Sequence, residues 1–176
     1  ECPAQVVRLR LLNGSNARVY ALGFESDEPF SVIAGDGSLL DAPVTTNRLP
    51  LSNGERAEIL LDLTGMEGDS LLLMSYGSEL PATVPGSSYI LWESSALNGI
   101  DFPVLRIRVG SPTIDPVTTF PASLVPVDAY DEADATNTRT KVLSGTGMVG
   151  MGMFYINGGM FDMDVINDTI MLGATE

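Results

Sequence analysis

The stretch that decides the fold is Val6 to Tyr20, VVRLRLLNGSNARVY, in which two strand-like runs meet at a polar turn. In the first run, apolar residues alternate with Arg8 and Arg10, so successive side chains point to opposite faces with the period of a β-strand. The turn residues, 13 to 16, accept left-handed backbone angles or hydrogen-bond their own main chain. The stretch therefore predicts a hairpin or a tight corner at the start of the domain.

Further segments along the chain have the composition of β-strands, and they cover residues 30–34, 39–51, 55–63, 71–76 and 102–109. The segment 39–51 carries Pro43 and Pro50, and because proline cannot donate a ladder hydrogen bond, we expect it at the edge of a sheet. Turn signals separate the segments at intervals of about 8 to 12 residues, without helical periodicity. This pattern predicts an all-β fold, an antiparallel sandwich or barrel of the Greek-key type.

The character of the sequence changes after residue 110. Residues 111–138 combine prolines with an acidic polar stretch, which is the composition of a stiffened linker. Beyond them the sequence predicts a strand over 139–144, a hairpin over 154–163 and a last strand over 168–176, too few to bury a core alone. We therefore predict a domain over 1–110, a linker over 111–138 and the start of an incomplete second domain over 139–176.

Charge and hydropathy exclude two classes of partner. The formal net charge is −14, with nine basic against 23 acidic side chains, and such a chain repels the phosphate backbone of nucleic acids. No apolar run approaches the roughly 20 residues that a membrane-spanning helix needs. We therefore expect neither nucleic-acid binding nor membrane insertion.

The sequence contains no histidine and a single cysteine, Cys2. Histidine is the commonest metal ligand and the usual acid or base near neutral pH, so histidine-based nucleophiles and copper or zinc sites are excluded from this chain. One cysteine allows no internal disulfide, and we expect a free thiol, the alternative being a pair with a segment outside this chain. We predict no catalytic residue and no bound cofactor here.

Four motifs carry a resemblance to a known family, and in chain order they are VRLRLLNGSNAR (7–18), IAGDGSLLDAPV (33–44), LSNGERAEILLDL (51–63) and FYINGGMFDM (154–163). In this order and spacing they resemble the middle domain of three-domain multicopper oxidases and the segment that enters the third domain. The group is the bacterial laccase-like one, which includes copper-tolerance cuprous oxidases and spore-coat laccases. The resemblance implies a Greek-key cupredoxin-like β-sandwich, with 139–176 as the leading strands of the third domain.

What the resemblance implies about function concerns the parent protein. Members oxidise a substrate one electron at a time and reduce dioxygen to water, using copper held by His-X-His and His-Cys-His motifs that are absent here. The middle domain binds no copper and orients the outer two. The implied role is a non-catalytic domain whose partners are the flanking cupredoxin domains, in the periplasm or secreted. A standalone β-sandwich binding or adhesion module is the alternative.

Several polar residues inside the matched motifs are expected to form strand-face ion pairs or domain-interface contacts rather than to catalyse: Arg8, Arg10, Asn13, Arg18, Glu55, Arg56 and Asp62. The sequence predicts a long surface loop over residues 78–98, which carries Tyr89 and Trp92. In a complete enzyme we expect these two aromatic side chains either to line the approach of the substrate or to pack against the sandwich. An excised domain should expose apolar surface and unpaired strand edges, so we also expect some self-association.

Five methionines lie within residues 148–163, and thioethers are soft ligands suited to Cu(I). The resemblance implies a methionine-rich segment at this place, so Met148, Met151 and Met153 are weak candidates for Cu(I) capture. The alternative is that residues 148–153 form a flexible apolar loop and that Met160 and Met163 fill gaps in a core.

Overall fold

The computed structural model of the chain describes residues 1–88, 95–128, 130–146, 153–166 and 169. The chain divides into two compact units, unit 1 over Glu1–Val127 and unit 2 over Asp128–Glu176. In the described ranges the regular structure is β-strand, apart from short 3-10 turns at Gly77–Glu79 and Glu132–Asp134. No helix in these ranges is long and apolar enough to cross a membrane.

Unit 1 contains nine strands within its described residues, and their alternating apolar residues set most of their positions. They are β1 (Cys2–Pro3), β2 (Val6–Leu12), β3 (Tyr20–Phe24), β4 (Phe30–Ala34), β5 (Leu39–Thr46), β6 (Leu49–Leu51), β7 (Arg56–Asp62), β8 (Ser70–Tyr76) and β9 (Asp101–Gly110).

These strands form two sheets, a five-stranded one in the order β1-β9-β8-β3-β6 and a four-stranded one in the order β2-β7-β4-β5. Their pairings are antiparallel except that β1 lies parallel to β9. Strands that are consecutive in sequence repeatedly fall in different sheets, as in Greek-key sandwiches. The predicted all-β sandwich is confirmed.

The core lies between the two sheets. Its largest fully buried apolar side chains are Phe24, Phe30, Ile59, Leu61 and Leu63. Phe24 and Phe30, one from each sheet, meet edge to face with their ring centroids 5.9 Å apart. The core therefore forms where the inward-facing positions of both sheets interdigitate.

The opening stretch forms a corner between the sheets. Strand β2 pairs with β7 along its whole length, from Val6 opposite Asp62 to Leu12 opposite Arg56, whereas β3 pairs with β6 and β8 in the other sheet. The hairpin interpretation is therefore wrong, and the tight corner is correct. The reason is burial: β2 buries mainly one face, but β3 is buried along nearly its whole length and continues inside the opposite sheet.

The two prolines lie where the sequence predicts. Pro43 is in β5, at the edge of the four-stranded sheet, and Pro50 is in β6, at the edge of the five-stranded sheet. The extended segment 39–51 is thus divided between the margins of both sheets, because Leu49–Leu51 pairs with β3 while Leu39–Thr46 pairs with β4. The edge prediction is confirmed.

The segment after β9 continues unit 1 as far as Val127, which is 17 residues past the boundary predicted at residue 110. The Val6 N–H donates to the Val117 carbonyl at 2.7 Å, and the Leu124 N–H donates to the Asp41 carbonyl at 2.7 Å. Residues 111–127, which the composition assigns to a linker, therefore lie along the sandwich and bond to it. Linker composition does not reveal such contacts, because extended proline-rich chain can lie on a surface as well as span a gap.

Unit 2 contains a three-stranded antiparallel sheet in its described residues, with β10 (Leu143–Thr146), β11 (Met153–Ile156) and β12 (Gly159–Met160) in that order. The predicted hairpin is present, since Asn157 and Gly158 both have positive φ, 51° and 76°, as a two-residue hairpin turn requires. Strand β10 begins at Leu143 rather than at the predicted residue 139. The strand predicted over 168–176 falls outside the described residues.

Candidate functional site

Asn13 joins the first and third sequence motifs and is 2% exposed. Its Nδ2 donates to the carbonyls of Arg18 and Leu51, at 2.7 and 2.8 Å, and its Oδ1 accepts from the Ser15 N–H at 3.0 Å. Its main chain bonds the neighbouring turn, because its N–H donates to the Glu55 carbonyl and its carbonyl accepts from the Gly54 N–H. The buried side chain of Asn13 thus fixes the corner after β2 to the end of β6, and its main chain fixes the same corner to the turn before β7.

Arg18 holds the chain that precedes β9. Its guanidinium donates to the Leu97 carbonyl at 3.1 Å, to Ser95 Oγ at 3.0 Å and to Asn98 Oδ1 at 2.7 Å. It also lies 5.8 Å from the centroid of the Phe102 ring, within the range of a cation–π contact. Arg18 is therefore fully engaged inside unit 1.

The other predicted arginines form ion pairs across strands. Arg8 and Arg10 on β2 both pair with Glu58 on β7, the Arg10 Nε lying 3.3 Å from Glu58 Oε1. Arg56 pairs with Asp36 at 3.1 Å, and the Asp36 carboxylate also accepts the Arg56 N–H at 3.0 Å. These pairs are largely exposed, so each contributes little to stability. Contact with a further domain stays a prediction for all of them.

Glu55 and Asp62 stabilise turns. The Glu55 carboxylate accepts the Ser52 N–H, which closes the Asn53–Gly54 turn, and Asp62 Oδ1 accepts the Thr64 N–H at 2.9 Å just after β7. Both are local side-chain to main-chain bonds of the kind that acidic residues make at turns.

Sequence reasoning missed a cluster around Arg48, which lies between β5 and β6. Its guanidinium stacks over the Tyr76 ring at 3.8 Å, pairs with Asp27 at 2.8 Å and pairs with Glu79 at 2.9 Å. Hydrogen bonding to Glu79, with a smaller contribution from Asp27, raises the pKa of Arg48 above its usual value. The four residues come from three separate parts of the sequence, at positions 27, 48 and 76–79, and form no motif, so no local signal could have found the cluster.

The predicted soft ligands and loop aromatics are only partly described. Met148, Met151, Tyr89 and Trp92 lie outside the described residues. Met153 lies on β11, 51% exposed. Met160 and Met163 are 49% and 88% exposed, so the interpretation that they fill a core is wrong within unit 2 as described. In the same ranges no three Asp, Glu or Cys side chains converge as a metal site, and Cys2 is a half-buried thiol packed against the core.

The contacts of unit 1 share one kind of chemistry. Asn13, Arg18 and Arg48 each connect turns or strands that are far apart in sequence. The main-chain groups bonded by Asn13 and Arg18 lie in turns, in connections between strands or at a strand end. Such contacts fix the relative positions of the loops, and unit 1 therefore has the contacts of a rigid framework.

Solved structures that superpose on this chain show which class of protein shares its fold. No protein-family model matches the chain. A multicopper oxidase McoA variant from the hyperthermophile Aquifex aeolicus superposes with a TM-score of 0.67 at 29% identity, over 89% of this chain and 31% of that one. The laccase-like multicopper oxidase CueO from Ochrobactrum sp. gives a TM-score of 0.58 at 31% identity, over 76% and 26%. The chain is thus a cupredoxin-like β-sandwich of the multicopper oxidase superfamily.

Curated relatives add a more particular likeness. The chain is 36% identical to the cell division protein FtsP of Edwardsiella tarda, over 97% of this chain and 34% of that protein. It is 33% identical to the cell division protein FtsP of a Rahnella strain over the same share of this chain. The chain therefore spans about a third of the length of the curated relatives it matches.

Proposed function

We propose that this chain is the middle, copper-free cupredoxin-like domain of a longer multicopper-oxidase-like polypeptide, joined to the leading strands of the following domain. Its role is to orient the domains on either side. The observation that carries the proposal is the absence of histidine from a sequence that aligns with a solved multicopper oxidase over 89% of its length. A blue-copper site needs two imidazoles and a thiolate. Copper in the longer polypeptide would therefore be held by its other domains.

The contacts of unit 1 support an orienting role. A domain that sets the separation of its neighbours has to keep its own loops fixed, and buried, fully satisfied polar side chains provide such rigidity. Asn13 satisfies two carbonyls at one corner, and Arg18 holds residues 95–98 beside β9. Both therefore act as positioning residues for the surfaces that flanking domains would contact.

The activity of the longer polypeptide has two candidates. The first is oxidation of a substrate coupled to reduction of dioxygen, as the multicopper oxidase relatives suggest. The second is a role in cell division, which is favoured by alignment over 97% of this chain with proteins that carry that name. Under both candidates we infer export, to the periplasm or the cell exterior.

The copper-free role is tested by metal analysis of the purified longer polypeptide. We expect Cys2→Ser and the combined Met148→Leu, Met151→Leu and Met153→Leu variant to bind as much copper per chain as the parent does. Titration of this chain alone with Cu(I) should show equal affinity for the chain and its triple methionine variant. A fall in copper content or Cu(I) affinity in either variant would place a copper ligand in this chain and contradict the proposal.

The two activities are separated by measurements on the same polypeptide. Dioxygen consumption with a phenolic or Cu(I) substrate would identify an oxidase, whereas filamentous growth after gene deletion, without such consumption, would identify a division protein. This chain alone, supplied with copper, should oxidise no phenol. A reading frame that lacks cupredoxin domains on both sides of this chain would favour the standalone binding or adhesion module instead.

A further inference from the structure

Strand β9 has an outer edge that is only partly paired. Its inner side pairs with β8 from Asp101 to Arg108. On the outer side, β1 pairs in parallel with the last two residues only, Cys2 with Val109 and Pro3 with Gly110. Among the described residues, no strand lies beside the outer edge of β9 from residue 101 to residue 108. An unpaired edge is a template for another strand.

Hydrogen bonds at the end of β9 show which main-chain groups face this edge. The Val109 N–H donates to the Asp69 carbonyl and the Val109 carbonyl accepts from the Gly68 N–H, both at 2.9 Å, so Val109 faces the β8 side. The Gly110 carbonyl instead accepts from the Ala4 N–H at 3.1 Å, on the opposite side. Because these directions alternate along a strand, the main-chain groups of Arg108 and Arg106 point outward.

A largely apolar groove opens between the two sheets, with β2 and the corner after it on one side and β9, β8, β3 and β6 on the other, so that β9 forms only one end of it. It has a volume of about 560 Å³, and Leu11, Leu12, Leu73, Val104 and Leu105 are among its lining residues. Leu12, Val104 and Leu105 are 65%, 46% and 47% exposed. Within the described residues, Val104 and Leu105 are therefore exposed at the β9 end of the groove, and an additional strand beside β9 would cover that end.

The charge at this edge indicates the kind of strand that fits. Arg106 and Arg108 alternate with the buried Ile107 and Val109, so their side chains lie on the outer face of the sheet. Neither makes an ion pair within the described part of the chain. They are two of only nine basic residues in a chain of net charge −14. Acidic side chains on the outer face of an added strand would pair with them.

We propose that the residues immediately before Glu1 in the longer polypeptide continue β1 in parallel along β9 and cover the end of the groove at Leu105. This inference rests on the proposed function, because it requires a preceding domain. The β1–β9 register places Glu1 beside Arg108 and the preceding residues beside Ile107, Arg106 and Leu105 in turn. The added strand carries apolar side chains where it faces Leu105, and acidic or polar ones where it faces the two arginines. A second copy of this chain fits less well, because the preceding segment is already joined to β1 and pairs with β9 at a high effective concentration.

Amide hydrogen exchange tests the proposal in the longer polypeptide and in this chain. We expect the amides of Arg106 and Arg108 to exchange at least tenfold more slowly in the longer polypeptide. Substituting alternate residues of the preceding segment by proline should return them to the rate seen in this chain, because proline cannot complete a ladder. The amides of Ile59 and Leu61 in the central strand β7 serve as the folding control and should stay protected throughout.

Three results would overturn the proposal. Equal exchange of the two arginine amides in both proteins would show that nothing pairs with β9, although the proposed function would stand if the flanking domains are present. Protection that survives the proline substitutions would assign the edge to a different segment. Protection that grows with the concentration of this chain would assign it to a second copy. A longer polypeptide without a preceding cupredoxin domain would instead remove the proposed function itself.

Discussion

Asn13 shows how much one buried side chain can determine in this fold. Its amide orientation follows from its partners, since Nδ2 faces two carbonyls while Oδ1 accepts from Ser15. Without this side chain the Leu51 carbonyl would lose its amide donor at a protected corner, and the Arg18 carbonyl would keep only the Ser15 hydroxyl. A buried polar group without a partner costs about 1 to 3 kcal/mol. The side chain therefore stabilises the corner mainly by preventing that loss.

We predict that Asn13→Ala lowers the free energy of unfolding by about 1 to 3 kcal/mol, because it removes the amide donor of the Leu51 carbonyl and one of the two side-chain donors of the Arg18 carbonyl. Equilibrium urea denaturation followed by circular dichroism measures the loss. Asn16→Ala, in the same turn but exposed, is the matched control and should change stability by less than about 0.5 kcal/mol. Equal losses in the two variants would show that Asn13 acts only as a turn residue.

The sequence predicts Asn13 as part of a turn, and that much is correct. It does not predict that the side chain is buried, because its partner at Leu51 lies 38 residues away in another strand. Arg18 illustrates the same limit, since its hydrogen-bond partners lie about 80 residues further along the chain. Turn chemistry is local and can be read from composition, whereas a bond across the sandwich depends on the topology.

At the scale of elements, the close approach of β3 to the β5–β6 connection depends on Gly23. A Cβ added at this position would lie 2.6 Å from the Asn47 carbonyl oxygen and 2.8 Å from Arg48 Nη1. The missing side chain allows the connection to pass over β3, so that Arg48 reaches both Tyr76 and Glu79. The Arg48 cluster therefore depends on the packing of two elements as well as on its charges.

We predict that Gly23→Ala destabilises unit 1 by about 1 to 3 kcal/mol, because the added methyl group overlaps main chain that cannot move without displacing β6. Thermal or urea denaturation measures this change. Gly37→Ala is the control, since a Cβ there meets nothing within 4 Å, and it should alter stability by less than about 0.5 kcal/mol. A Gly23→Ala variant as stable as the parent would show that the connection shifts without cost.

Element types were more predictable than element partners. The alternation of β7 indicates a strand and the prolines of β5 and β6 indicate edge positions, and the structure has a strand at the first and sheet edges at the other two. The same alternation cannot decide which sheet a strand joins, because a period of two is identical in both sheets. The alternation of the opening stretch therefore fits a hairpin as well as a corner between two sheets. Only the continuous burial of β3 distinguishes the corner from the hairpin.

At the scale of the whole molecule, a strongly negative charge coexists with exposed apolar surface. On one face of the unit 2 sheet, Leu143 lies opposite Ile156, and Phe154 follows at the alternate position. These three side chains are 76%, 57% and 79% exposed. An apolar sheet face of this kind favours association, whereas a net charge of −14 on each chain opposes it.

We predict that the isolated chain self-associates through this face and that salt strengthens the association. Raising ionic strength from about 0.1 M to about 1 M shortens the Debye length from about 10 Å to about 3 Å, which screens the repulsion but leaves the apolar attraction in place. Sedimentation velocity over a range of concentrations should therefore show larger species at high salt. The double variant Leu143→Thr, Phe154→Thr should remain monomeric under the same conditions. Ile114→Thr is the control, because Ile114 is 99% exposed in unit 1 and should not affect association. A monomer at every concentration and salt level, or an equal effect of the control, would contradict an association through unit 2.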